Sequence, residues 1–182
     1  DELIFDGSSF VLNSKAEIVL KLPSCKTALE LWETTTKVQP KLISSSNPHE
    51  QLFKALVLGV HDYAQKCGFT SALIGLSGGI DSALVTTIAA AALGRENIRA
   101  VLMPSPWSSA GSIKDSLDLA KRLQISTETV PIEALMKGFD SALKIPLGTS
   151  VEGIAAENLQ SRIRGTLLMA LANQQGHLLL ST

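Results

Sequence analysis

The stretch LSGGIDS, residues 76–82, sets two glycines between two serines and follows them with an aspartate. It stands where the apolar run SALIGL (71–76) ends and the helical pattern DSALVTTIAAAAL (81–93) begins. The run suits a buried parallel strand, and the pattern suits a helix buried over much of its surface. The turn between them is either an ordinary tight turn or a backbone laid bare to hold an anion. Glycine at 78 and 79 permits positive φ and close approach of a ligand to N–H groups. The helix that follows aims its N-terminus at the same spot, which favours an anion by about 0.3–1 kcal/mol at a surface. Ser77 and Ser82 add hydroxyl donors. Asp81 is the puzzle, because a carboxylate beside a phosphate is repulsive unless a cation lies between them. Mg²⁺ bridging Asp81 and phosphate oxygens resolves it. Asp81 also suits the first turn of any helix, so a purely structural part stands beside the metal one. The loop has neither the G-x-x-x-x-G-K nor the G-x-G-x-x-G pattern.

Working outward, the alternation repeats. IRAVLMPS (98–105) reads as a second strand, SIKDSLDLAKRL (112–123) as an amphipathic helix, and STETVPI (126–132) as a third strand. A helix near 133–143, a long helix over 151–175 and a fourth strand, HLLLS (177–181), follow. Ser112 and Asp115 have the spacing of a capping box. Repeated β-α units with short loops predict an α/β fold, a doubly wound parallel sheet of Rossmann-like kind. Ligands in such a sheet bind beyond the carboxyl ends of the strands, which is where the glycine turn falls.

Upstream the texture differs. Phe10–Leu12 and Ile18–Leu22 are short apolar runs around the turn Asn13–Ala16, a hairpin barely stable alone. Residues 23–49, with three prolines and the run SSSN, read as a linker or surface crossover. Asn47-Pro48 opens a helix over 49–67, with Leu52, Leu56, Val60 and Tyr63 at helical spacing. Two domains are therefore expected, 1–47 and 48–182.

The totals bound the function. Lys plus Arg is 16 against 17 for Asp plus Glu, so no general pull on nucleic acid or anionic membranes exists and any anion site is local. Apolar residues are 45%, enough for a core. Cys25 and Cys67 form no metal pattern, and a reduced, cytoplasmic setting is expected. The longest apolar stretch, Ala83–Leu93, is too short to span a bilayer. His49, His61 and His177 have no ligand spacing. The opening DELIFDG and the closing HLLLST suggest a piece of a longer protein.

Ser77–Ser82 resembles the S-G-G-x-D-S loop of the N-type ATP pyrophosphatases, which holds the pyrophosphate of ATP while an oxygen attacks the α-phosphate. The segments 103–123, 130–133 and 156–182 look closely like the glutamine-dependent NAD synthetase family. Residues 1–12 resemble the end of the nitrilase-like glutaminase domain that precedes the synthetase domain there. The resemblance implies an adenine-nucleotide α-hydrolase-like sheet and ATP-dependent amidation of nicotinic acid adenine dinucleotide through an acyl-adenylate. Glutamine or ammonia supplies the nitrogen, ATP and Mg²⁺ are the cofactors, and a homo-oligomer is expected. It implies ATP contacts at Gly75, Leu76, Ser77, Gly78, Gly79, Ile80, Asp81, Ser82, Met103 and Thr182, with Asp81, Ser77 and Ser82 catalytic and Asp81 on the metal. Asn158 and Arg162, four apart on the long helix, are matched to the dinucleotide. They are expected to border an apolar stripe of Ala155, Leu159, Ile163, Thr166 and Ala170, with Arg164 and Glu157 turned outward. Ser105, Ser109 and Trp107 are weaker candidates near the adenine, ribose or phosphates. The family pattern continues beyond Thr182 with G-N-K-S-E, so the chain alone is expected to be inactive. Other S-G-G-x-D-S ligases such as GMP synthetase, and a nucleotide-binding module without catalysis, remain alternatives.

Overall fold

The computed structural model describes residues 3–34 and 47–182; the middle of the expected linker, 35–46, lies outside the described residues. Two compact units divide the chain, 1–60 and 61–182.

In the first unit, β1 (Phe10–Leu12) pairs antiparallel with β2 (Ile18–Lys21). Asn13 closes the turn: its Oδ1 accepts from the amides of Lys15 at 2.9 Å and Glu17 at 3.0 Å, and Ala16 takes φ +59°. A short polar side chain that bonds its own backbone two residues on is what favours Asn in such turns. Helix α1 (Pro48–Cys67) begins where Asn47 Oδ1 accepts from His49 N at 2.9 Å. Its covered stripe runs through the half-buried Phe53, Val57 and Val60 to the buried Ala64, while Leu52, Leu56 and Tyr63 of the expected stripe are exposed.

The second unit is the expected α/β sheet. Its strands are β3 (Ala72–Gly75), β4 (Ile98–Leu102), β5 (Ser126–Thr129) and β6 (Leu178–Leu180), all parallel, in the order β5-β4-β3-β6. Helices α2 (Ile80–Leu93), α3 (Ala110–Leu123), α4 (Glu133–Leu147) and α5 (Gly153–Gln175) connect them. Alternating side chains give the sheet two dry faces. Ala72, Ile74, Ile98 and Ala100 point to one face and pack with Ala89 of α2 and Ala120 of α3. Leu73, Val101 and Met103 point to the other and pack with Met136 of α4 and with Leu159, Ile163 and Leu167 of α5. The strands read as continuous apolar runs because both faces are covered.

At the amino edge, Arg99 of β4 bonds Gln175 Oε1, the last residue of α5, at 2.7 Å and pairs with Glu128 of β5 at 2.6 Å. The chain leaves β3 in one direction, through α2 to β4 and β5, and returns through α4 and α5 to β6 on the other side of β3. The order of strands reverses between β3 and β6, and a crevice forms there at their carboxyl ends.

Candidate functional site

The glycine loop leaves β3 at that reversal. Leu76 N still donates to Val101 O at 2.9 Å, and Ile80 opens α2 with Gly79 as its N-cap. Gly78 has φ +83°, and a Cβ there would lie 2.4 Å from Ser112 O and 2.8 Å from Ser112 Cα. That backbone cannot yield cheaply, so Gly78 is required twice, by its dihedral and by the approach of α3. Gly79 departs from expectation: its φ is −84°, and a Cβ would meet only Ser77 Oγ at 3.4 Å.

The serine hydroxyls bond within the loop. Ser82 is buried and donates to Gly79 O at 3.0 Å; its Oγ lies 3.0 Å from Ser77 Oγ and accepts from Ser77 N at 3.3 Å. Gly79 N donates to Ser77 Oγ at 3.2 Å. Two of the amides expected to be bare are therefore satisfied by hydroxyls within the loop. The hydroxyls brace the turn. The N–H groups of Gly78, Ile80, Asp81 and Ser82 donate to no protein group among the described residues. Orphan donors at a helix start form an anion seat. Asp81 is exposed in that first turn and engages no partner among the described residues. No group of three or more histidine, cysteine or carboxylate side chains gathers among the described residues, so Asp81 could give a cation one carboxylate ligand.

A cavity of about 400 Å³ opens beside the loop at the carboxyl ends of β3, β4 and β6. Of the expected contacts, Gly75, Leu76, Ser77, Met103 and Thr182 line it, whereas Gly78, Gly79, Ile80, Asp81 and Ser82 lie along the loop outside it. Ser108 also lines it; Ser105, Trp107 and Ser109 do not. Trp107 is exposed and borders a second cavity with Met136 and Leu159.

Helix α5 is rotated from the expected phase. Its packed stripe is Leu159, Ile163, Leu167 and Leu171, while Ala155, Thr166 and Ala170 are exposed. The adjoining stripe, Ser161, Arg164, Gly165 and Leu168, therefore faces the cavity. Arg164, expected outward, is half-buried there and donates Nε–H to Met103 O at 3.2 Å. Desolvation holds its guanidinium below the ordinary arginine value. Asn158 and Arg162 are exposed, and Arg162 lines an open groove with Thr166, Met169 and Asn173.

Sequence reasoning missed Arg164, Ser161 and the α3 residues Ser112 and Ser116; the i, i+4 run of apolar residues from 159 could have placed the first two. The start of α3 is corrected as well. Ser109, not Ser112, is the N-cap, accepting from Ser112 N at 3.0 Å. Ser112 sits in the first turn, its carbonyl against Gly78. His177 bonds Ser71 Oγ at 2.6 Å before β6 and β3, at the opposite end of the sheet. Cys25 and Cys67 are free thiols.

A family model described as NAD synthase matches residues 52–182. The chain belongs to the NAD synthase family. Among its relatives in that family, a glutamine-dependent NAD(+) synthetase from a Synechocystis strain is 52% identical over 100% of this chain and 34% of its own length. A structure of glutamine-dependent NAD+ synthetase from Acinetobacter baumannii, in complex with adenosine diphosphate, superposes with a TM-score of 0.93 at 39% identity. That match covers 100% of this chain and 35% of the other. An NH3-dependent NAD synthetase from Campylobacter jejuni, in complex with nitrate ion, matches at a TM-score of 0.65 and 27% identity, over 73% of this chain and 56% of that one. The chain spans about a third of the length of the glutamine-dependent relatives it matches. No helix among the described residues is long and apolar enough to cross a membrane.

Proposed function

We propose that the chain is the ATP-handling part of an enzyme that amidates nicotinic acid adenine dinucleotide to NAD, with ammonia drawn from glutamine. One observation carries this reading: the loop's unpartnered amides at Gly78, Ile80, Asp81 and Ser82 stand beside the cavity at the strand reversal. That the Acinetobacter relative was solved in complex with adenosine diphosphate supports an adenine nucleotide as a ligand.

A carboxylate does not react with ammonia, because its oxygen leaves poorly. In this reading the acid's oxygen attacks the α-phosphorus of ATP, and the bond to the bridging oxygen breaks. Pyrophosphate departs into the loop and an acyl-adenylate remains. Ammonia then attacks the acyl carbon, AMP leaves with the C–O electron pair, and the surplus proton passes to solvent. The chain's part is positioning and charge neutralisation. The loop amides receive the diphosphate, while Ser77 and Ser82 keep the loop in shape. Gly75, Leu76, Met103 and Thr182 border the nucleoside. Asp81 would hold Mg²⁺, which would supply neutralisation of the charge on the leaving diphosphate. Asn158 and Arg162 hold the dinucleotide, an Arg–phosphate bond contributing about 1.5–3 kcal/mol. Residues 1–47 form the tail of a nitrilase-like glutaminase domain, a reading supported by the similarity of the whole chain to glutamine-dependent relatives. A homo-oligomer in the cytoplasm completes the proposal.

The test uses the whole protein. Asp81→Asn should lower acid-dependent ATP–pyrophosphate exchange on the order of 100-fold or more while glutamine hydrolysis persists. Exchange at the native rate would remove the metal role of Asp81. A panel of acid acceptors identifies the substrate, and AMP release with xanthosine monophosphate alone would point to GMP synthesis instead.

A further inference from the structure

We propose that Arg164 positions the nucleotide by laying its guanidinium plane against the purine ring. The inference rests on the ATP reading above and adds to it the residue that holds the base. Among the described residues, Arg164 is the sole ionisable side chain lining the 400 Å³ cavity. It is half-buried, and no carboxylate pairs with it among the described residues. A desolvated guanidinium without an anion needs either a negative ligand or an aromatic face.

The surroundings favour the face. Leu102, Met103, Leu168 and Leu180 give the cavity apolar wall beside its serines, while the unpartnered amides of Gly78 and Ile80–Ser82 lie outside the cavity lining. Phosphates are drawn to the loop, so the ring is the part of the nucleotide left for the apolar end. The bond from Arg164 Nε–H to Met103 O at 3.2 Å fixes one edge of the guanidinium to the protein. What it still offers a ligand is its plane and its two terminal nitrogens. Gly165 beside it leaves open space where a side chain would stand. Arginine planes stack on bases in this manner, and the contact does not depend on phosphate charge.

Arg164→Met keeps length and loses the plane and the charge; Arg164→Lys keeps the charge alone. Calorimetric titration of the chain with adenosine, ADP and inorganic pyrophosphate separates the parts. Both variants should bind adenosine and ADP more weakly by the same factor, roughly 5- to 30-fold, with pyrophosphate affinity unchanged. In the unsubstituted chain, the Arg164 Nε–H proton, assigned as the resonance lost in Arg164→Lys, should move upfield with adenosine and stay in place with pyrophosphate. ADP weakened with adenosine unaffected would make Arg164 a phosphate ligand and overturn the proposal. Unaltered affinities, full rescue by lysine, or a stationary Nε–H resonance would overturn it too. A native chain that binds pyrophosphate and no adenosine would sink the ATP reading together with this one, whereas the other failures leave that reading intact.

Discussion

Gly78 meets two demands that no other residue satisfies together. Its φ of +83° costs an L side chain about 1–2 kcal/mol. A methyl group would also drive into the Ser112 backbone, an overpacking of about 1–3 kcal/mol. Gly78→Ala should therefore lower the melting temperature by roughly 5–15 °C, at about 2–4 °C per kcal/mol for a chain of this size. Gly79→Ala, with an ordinary dihedral and a hydroxyl as its nearest neighbour, should cost about 1 kcal/mol or less. Thermal denaturation of the two variants checks this, and equal losses would contradict the geometry. Ser82→Ala belongs at the same scale. It strips the acceptor from Ser77 N and the donor from Gly79 O, so it should destabilise by about 1–3 kcal/mol and weaken nucleotide binding by loosening the loop whose amides receive the diphosphate. From sequence the two glycines looked equivalent and the serines looked like ligand donors. The difference is set by Ser112, some thirty residues on in the chain and adjacent only in the fold.

At the scale of elements, the strands and helices of the sheet were legible because each apolar run is bounded by a turn and each helix carries a periodic pattern. The rotation of two helices was not. In α1 the expected stripe ran through Leu52 and Leu56 and the half-buried one through Phe53 and Val57; in α5 the stripe continued from Ile163 to Leu167 and not to Thr166. Apolar residues flank both alternatives, and a helix of 3.6 residues per turn accepts either a three- or a four-residue step. The shift of α5 is what hid Arg164. Ile163→Ala should cost about 2–5 kcal/mol and Thr166→Ala less than about 0.5 kcal/mol, measured by chemical denaturation. For α3, Ser109→Ala should cost about 1 kcal/mol and exceed Ser112→Ala, because the Ser109 hydroxyl is the one that takes a first-turn amide.

For the molecule as a whole, the reversal of strand order between β3 and β6 brings together residues nearly the length of the second unit apart, Gly75 and Thr182, on one cavity. The alternation of elements announced that such a crevice would exist, but its far walls come from α3 and α5, whose approach depends on packing across the sheet. A ligand touching all of these should stabilise the folded state globally. ADP at about 100 times its dissociation constant adds about 2.7 kcal/mol. That corresponds to a melting shift of roughly 5–10 °C. Differential scanning fluorimetry reads it directly, and a flat response to ADP would count against a nucleotide in the crevice.

The lacing of the amino edge by Arg99 bears on how the crevice moves. Gln175, the tail of α5, is fastened there, whereas Ser161 and Arg164 stand some eleven to fourteen residues nearer its head, roughly 16–21 Å along the axis. The helix is thus a lever with its fulcrum away from the opening. A tilt of a few degrees at the tail displaces the opposite wall by one to two ångströms on the order of magnitude. Width at the mouth is accordingly sensitive to the Arg99–Gln175 contact on the far side of the sheet.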